Sequence, residues 1–140
     1  MIIVDRALAQ RAQEGNPIRV GMIGAGFMGR GIALQLLTAV PGIELVAISN
    51  RHIESARAAY ADAGVEVIRV VETETQLEDA IVHGAYSVTE DALLLCRAEG
   101  IDVIVEVTGA VEFGAHVVLE AIRNGKHVVM MNAELDGTIG

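Results

Sequence analysis

The feature that most constrains this chain is a glycine-rich turn at residues 24–29, Gly-Ala-Gly-Phe-Met-Gly, set between an apolar run and a periodic segment. The apolar run, residues 18–23, is β-branched and apolar on both faces, which predicts a strand that is covered on two sides. The periodic segment has apolar residues at helical spacing over residues 32–40. A strand, a Gly-x-Gly-x-x-Gly turn and a helix in this order predict a dinucleotide-binding crossover, and a glycine-rich turn without a ligand is the alternative.

Each glycine of the turn is expected to have its own role. Gly24 allows a tight turn, Gly26 lacks the side chain that would collide with a pyrophosphate, and Gly29 lets the helix pack close to the strand. The unpaired N–H groups and the positive dipole end of the helix would then hold the phosphates.

The rest of the chain alternates in the same way. Further strands are predicted at residues 44–48, 86–88, 101–107 and 126–131, while residues 65–71 are β-prone but ambiguous. Helices are predicted from the apolar stripes at residues 53–63 and 113–122, and at residues 74–83 and 90–99. Alternating helices and buried strands predict right-handed crossovers and therefore a doubly wound, parallel α/β sheet in three layers, the Rossmann fold.

Residues that typically begin or end helices support these boundaries. Five glycines, each expected in a left-handed conformation, close the helical stretches: Gly15, Gly64, Gly84, Gly100 and Gly125. Thr89 is expected to be the N-cap of the helix that runs to Glu99, and Asp5 would cap a helix over residues 6–14.

The end of the second strand selects the type of cofactor. A carboxylate there would bind the ribose hydroxyls of NAD and repel a 2′-phosphate, but the sequence is Ser49-Asn50-Arg51-His52. Ser49 and Asn50 can donate to a phosphate, and Arg51 is a planar cation suited to phosphate oxygens, so NADP is predicted in preference to NAD. A solvated Arg51 is the alternative. An S-adenosylmethionine site would also require an acidic residue here, and the presence of Asn50 argues against such a site.

Composition excludes several classes of function. Ten basic and nineteen acidic residues give a net charge of −9, which argues against nucleic acid as a partner. No apolar run approaches the length of a membrane span and no secretory signal is present, which argues against a membrane and for the cytoplasm. The single cysteine, Cys96, lies in an apolar run and is expected to fill the core. A small-molecule substrate is the expected partner, and a homo-oligomer is left open.

In a doubly wound sheet the ligand lies outside the carboxyl ends of the strands, so residues 106–109 and 130–134 are also expected to line the site. Glu106 and Glu134 are candidate proton carriers if burial raises the pKa, with a structural or helix-capping role as the alternative. His116 is expected to pack or face water, and no histidine pair has metal-ligand spacing.

Several motifs resemble a known family. Residues 101–109 and 121–129 resemble the nucleotide-binding domain of homoserine dehydrogenases and, more loosely, glucose–fructose oxidoreductase-type enzymes. Residues 2–8, 15–21 and 130–134 resemble homoserine dehydrogenase-like oxidoreductases with a C-terminal SAF domain, a group that includes 1-deoxy-D-xylulose 5-phosphate reductoisomerase-like proteins.

The resemblance implies a hydride-transferring enzyme that uses NADP(H). Homoserine dehydrogenases have a lysine directly after the asparagine, whereas this chain has Ala133. Its only lysine, Lys126, is expected to begin a strand at the opposite edge, which argues against homoserine as substrate. The residues expected near the cofactor are Gly24, Ala25, Gly26, Phe27, Met28, Gly29, Ser49, Asn50, Arg51, Thr108, Gly109, Asn132 and Glu134.

The domain organisation follows from the same resemblance. Residues 1–15 are expected to form a helical extension, and residues 16–140 a dinucleotide-binding domain cut before a substrate domain that would supply the catalytic groups. The fragment alone would then be inactive. Two other functions stay open, a sugar-phosphate reductoisomerase and a non-catalytic NAD(P)-sensing or interaction module.

Overall fold

The computed structural model describes residues 17–38, 41–108 and 111–131, which form a six-stranded parallel sheet with helices on both faces. The strands are β1 (Ile18–Ile23), β2 (Ile43–Ser49), β3 (Ile68–Val70), β4 (Tyr86–Thr89), β5 (Val103–Glu106) and β6 (His127–Met130). The helices are α1 (Phe27–Thr38), α2 (Ile53–Asp62), α3 (Glu74–Val82), α4 (Ala92–Arg97) and α5 (Val111–Arg123).

The strand order is β3-β4-β2-β1-β5-β6, with every neighbouring pair parallel. The chain starts in the middle at β1, builds the sheet toward one edge, and returns to the other side of β1 with β5. This reversal creates a crevice above the carboxyl ends of β1, β2 and β5, which is where ligands bind in such sheets. The predicted doubly wound α/β fold is therefore confirmed.

Two apolar cores lie on the two faces of the sheet. On one face α1 and α2 cover the strands, and the core includes Met22, Ile48 and Tyr60. On the other face α3, α4 and α5 cover Ile23 and Ile104. Neighbouring strand residues point to opposite faces, so each strand feeds both cores. Each large apolar side chain buried in this way contributes roughly 1.5–3 kcal/mol, which explains why the strands are apolar throughout.

Cys96 lies in the second core and is fully buried, as predicted. Its thiol donates to the carbonyl oxygen of Val117, at 3.7 Å, and so joins α4 to α5. Burial is the main cause that raises the pKa of this thiol to about 11, which keeps it protonated and unreactive at neutral pH.

Helix α4 starts later than predicted. Thr89 is not its N-cap, because Thr89 is the last residue of β4 and pairs with Ser49 of β2. The cap is Asp91, whose carboxylate accepts from the N–H of Leu93 at 3.1 Å, and the helix ends at Arg97 rather than Glu99. The pairing of β4 with β2 keeps Thr89 in the strand, and a local capping pattern cannot show this pairing.

Two other predictions are corrected. Gly64, Gly84 and Gly125 have positive φ as expected, but Gly100 does not; an added Cβ there would lie 3.0 Å from the side chain of Ile81, so close packing explains this glycine. In the stripe on α5, Val117 is buried but the outer residues Phe113 and Ile122 are 43% and 59% exposed.

The ambiguous segment 65–71 contains the short edge strand β3. The predicted helix over residues 6–14, with Asp5 and Gly15 at its ends, and Val40 of the first stripe lie outside the described residues.

Candidate functional site

A cleft of about 610 Å³ opens at the carboxyl ends of β1, β2, β4 and β5, where the strand order reverses. Seven of the residues expected to hold a cofactor line this cleft: Gly24, Ala25, Gly26, Ser49, Asn50, Arg51 and Thr108. Residues from three separate parts of the chain therefore meet at the predicted place. Phe27 and Met28 lie beside them, exposed in the first turn of α1.

The glycine loop forms the floor of the cleft. Gly24 has φ +107°, and a Cβ added there would lie 3.0 Å from the backbone carbonyl carbon of Val107, so both conformation and space require glycine. A Cβ on Gly29 would lie 2.7 Å from the carbonyl oxygen of Gly24. These contacts confirm the predicted tight turn and close helix packing. No atom lies within 4 Å of the Cβ position of Gly26, so this side of the loop is open.

The first wall, here termed the β2 corner, consists of Ser49, Asn50 and Arg51 together with Glu90. The Asn50 side chain accepts from the N–H of Ala25 at 3.1 Å and donates to the carbonyl oxygen of His52 at 3.0 Å. Buried Ser49 accepts through its backbone oxygen from the N–H of Gly24 at 2.8 Å. The structure thus gives Asn50 the task of tying β2 to the glycine loop, while Arg51 is exposed on the cleft wall.

The second wall includes Thr108, and Glu106 and Gly114 are packed behind it; these three residues are termed the β5 corner. Glu106 is fully buried, and its Oε1 atom accepts from the N–H of Thr108 at 2.8 Å and from the Thr108 hydroxyl. A carboxylate buried beneath the cleft wall in this way favours the structural role over the proton carrier. Val107 is held separately, because its N–H donates to the carbonyl oxygen of Ile23 at 2.9 Å.

Sequence reasoning missed four residues of the cleft, Ile23, Glu90, Ala92 and Phe113. Glu90 and Ala92 reach the site because β4 lies directly beside β2, an arrangement that no local pattern encodes. The apolar stripe of α5 predicts instead that Phe113 is buried. The glutamate adds a negative charge to the same wall as Arg51, so this wall carries both signs.

The other candidates lie away from the cleft or outside the described residues. His116 and His127 are exposed, and His83 contacts Asp79 at 3.3 Å. Lys126 donates to the carbonyl oxygen of Ala98 at the amino end of the sheet. Three expected site residues are not among those that the structure describes: Gly109, Asn132 and Glu134.

Within residues 17–38, 41–108 and 111–131, none of the helices combines the length and apolar character of a bilayer crossing. Within the same ranges, His, Cys, Asp and Glu side chains form no group of three or more that would hold a metal ion.

Comparison with known sequences identifies relatives of this chain. The family model described as homoserine dehydrogenase, NAD binding domain, matches residues 24–135. Homoserine dehydrogenase of Methylobacillus glycogenes is 31% identical over 120 residues, which covers 86% of this chain and 26% of that protein.

Two solved structures extend the comparison to the fold. A homoserine dehydrogenase from Thiobacillus denitrificans superposes with a TM-score of 0.61 and 27% identity, covering 89% of this chain and 25% of that one. A myo-inositol dehydrogenase from Lactobacillus casei, solved with NAD(H) and myo-inositol, gives 0.61 and 27%, covering 81% of this chain and 28% of that one. The chain therefore spans about a quarter of the length of these relatives.

Proposed function

This chain belongs to the homoserine dehydrogenase NAD-binding domain family, and from that premise we propose that it is the cofactor-binding domain of an NADP(H)-dependent oxidoreductase. Such a domain places a nicotinamide ring for hydride transfer, while the rest of the protein supplies the substrate pocket. The observation that carries the proposal is the open glycine loop, flanked by two built walls, at the reversal of the strand order.

The phosphates would lie over the start of α1. The first backbone bond of this helix runs from the N–H of Arg30 to the carbonyl oxygen of Gly26, at 2.9 Å. The N–H groups of residues 27–29 precede that bond and so have no acceptor within the helix. Together with the helix dipole they favour a bound anion, and the open side of Gly26 leaves room for it.

The β2 corner would face the adenosine ribose. No carboxylate occurs at residues 49–52, and the exposed guanidinium of Arg51 lies on the wall of the cleft. An arginine at this place pairs well with a 2′-phosphate, which NADP has and NAD lacks. Glu90 on the same wall opposes a second anion, so the preference for NADP depends on Arg51.

Calorimetric titration of the 140-residue chain with NADPH and NADH tests both parts of the proposal. We expect Arg51→Ala to weaken NADPH about 10- to 100-fold, the equivalent of one charged hydrogen-bonded contact, and NADH less than about threefold. Arg57→Ala, at an exposed position on α2 outside the cleft, is the control and should change neither affinity.

Two outcomes contradict different parts of the proposal. An equal loss of both coenzymes in Arg51→Ala would refute the 2′-phosphate assignment. Failure of the unmodified chain to bind either coenzyme at millimolar concentration would refute the cofactor-binding function itself.

The whole protein is proposed to be an enzyme with a small-molecule substrate. Residues 16–140 would be its dinucleotide-binding domain, with Thr108, Gly109, Asn132 and Glu134 at the nicotinamide end and a C-terminal SAF domain beyond. This chain alone is then expected to bind the cofactor but to turn over little. The relatives reported above are homoserine and inositol dehydrogenases, so neither the reductoisomerase nor the sensing module is favoured.

A further inference from the structure

We propose that Glu106 is a positioning residue for the nicotinamide half of the cofactor, acting through Thr108. Its buried carboxylate fixes the backbone and the hydroxyl of Thr108, which forms the cleft wall at the end of β5. The inference rests on the proposed function, because it assigns a task within the same cleft.

The β5 corner lies across the glycine loop from the β2 corner. Strand β1 carries the phosphate loop and lies between β2 and β5, so the two corners are on opposite sides of the phosphates. A dinucleotide that extends across the reversal point has its adenosine half on one side and its other half on the other. With Arg51 facing the adenosine ribose, Thr108 faces the nicotinamide half.

Thr108 is held by Glu106, whereas its neighbour Val107 is held by other contacts. Val107 continues the pairing with β1 through its own N–H, and its backbone packs against Gly24. Thr108 donates both its N–H and its hydroxyl to the Glu106 carboxylate. Removing that acceptor therefore removes two hydrogen bonds from Thr108, while the glycine loop and Val107 keep their contacts.

Helix α5 leaves space for the carboxylate of Glu106. Gly114, the fourth residue of α5, is buried, and a Cβ added there would lie 2.9 Å from Oε2 of Glu106, closer than real contacts allow. The same carboxylate lies beside the start of the helix, where the dipole favours negative charge. The space for this acidic group therefore requires a glycine within the helix, which destabilises the helix relative to alanine.

The experiment compares NADPH with adenosine 2′,5′-bisphosphate, which carries the adenosine half alone. In Glu106→Met, which keeps the length of the side chain but removes the acceptor, we expect NADPH to bind about 10- to 30-fold more weakly. The bisphosphate should bind within about twofold of its original affinity. Glu106→Gln retains one acceptor oxygen and should restore NADPH binding to within about threefold. The control is Glu112→Gln, on an exposed residue of α5.

A general structural defect would weaken both ligands in parallel, and that result would overturn the inference. So would an unchanged affinity for NADPH in Glu106→Met. If that variant does not fold, Thr108→Val decides: it removes only the hydroxyl, and a loss of NADPH without a loss of the bisphosphate supports the inference, while any other pattern overturns it. If the unmodified chain binds neither ligand, the proposed function fails first, and the two failures remain distinct.

Discussion

The two corners of the cleft differ in whether their charged side chains are exposed or buried. At the β2 corner the charged side chains, Arg51 and Glu90, are exposed. At the β5 corner the charged group, Glu106, is fully buried and held by Thr108. Exposed charges are screened by solvent and can change without disturbing the core, whereas a buried carboxylate must be matched by hydrogen bonds or it destabilises the fold. We therefore propose that the first corner selects the cofactor and that the second positions it.

The largest expected effect comes from the floor that both corners share. In Gly29→Ala the new Cβ meets the carbonyl oxygen of Gly24 at 2.7 Å, a backbone atom that cannot move without moving the loop. We expect the free energy of unfolding to fall by about 1–3 kcal/mol, as in other overpacked sites. The affinities for NADPH and for adenosine 2′,5′-bisphosphate should both fall by about 100-fold or more, because several phosphate contacts are lost together.

Gly31→Ala is the matched control for this change, since no atom lies within 4 Å of the Cβ position of this α1 glycine. Alanine is the better helix former, so stability should rise by about 0.5–1 kcal/mol with binding retained. Chemical denaturation gives the stabilities and calorimetry the affinities. A selective loss of one ligand in Gly29→Ala would mean that the two corners do not share this floor.

The floor is also the part of the site that sequence predicted best. The roles of Gly24 and Gly29 follow from backbone conformation and close approach within one strand-turn-helix unit, and such local constraints are visible in a local motif. The alternation of strands and helices gave the fold for the same reason. Arg51 lies on the cleft wall because it follows the end of β2 closely.

The corners were predicted less well because they depend on tertiary neighbours. Glu90 reaches the cleft only because β4 pairs with β2, and the same pairing kept Thr89 in the strand and left capping to Asp91. Gly114 lies on the buried face of α5, where it leaves space for the side chain of Glu106. A pattern of apolar residues does not predict this role for a glycine. These features become visible only with the strand order.

Asn50→Asp tests whether the β2 corner selects between NADPH and NADH. The new side chain still accepts from the N–H of Ala25, but it no longer donates to His52 and places a carboxylate at the end of β2. A carboxylate at this position favours ribose hydroxyls over a 2′-phosphate. We expect the ratio of NADPH to NADH affinity, measured by calorimetry, to fall by about 10-fold. This change corresponds to the free energy of one charged hydrogen-bonded contact.

The same substitution at Asn124 provides the control for that experiment. Asn124 is exposed beyond the end of α5, and its amide donates to the carbonyl oxygen of Glu120 at 2.8 Å. Asn124→Asp adds an identical charge far from the cleft and should leave the coenzyme ratio unchanged. A ratio that is also unchanged in Asn50→Asp would show that the β2 corner does not contact the adenosine ribose.

The smallest expected effect is at Glu90, and it tests whether this corner acts through exposed charge alone. Glu90→Gln removes one anion from the wall that carries Arg51, so we expect NADPH to bind about two- to fivefold more tightly at low salt, the range of an exposed charge interaction. Because such an interaction is screened, the gain should disappear near 1 M salt. NADH, which lacks the 2′-phosphate, should gain less, and Glu99→Gln, at an exposed site outside the cleft, should gain nothing. A gain that persists at high salt, or a loss of affinity, would mean that Glu90 contacts the cofactor directly and that the β2 corner is more than a screened pair of charges.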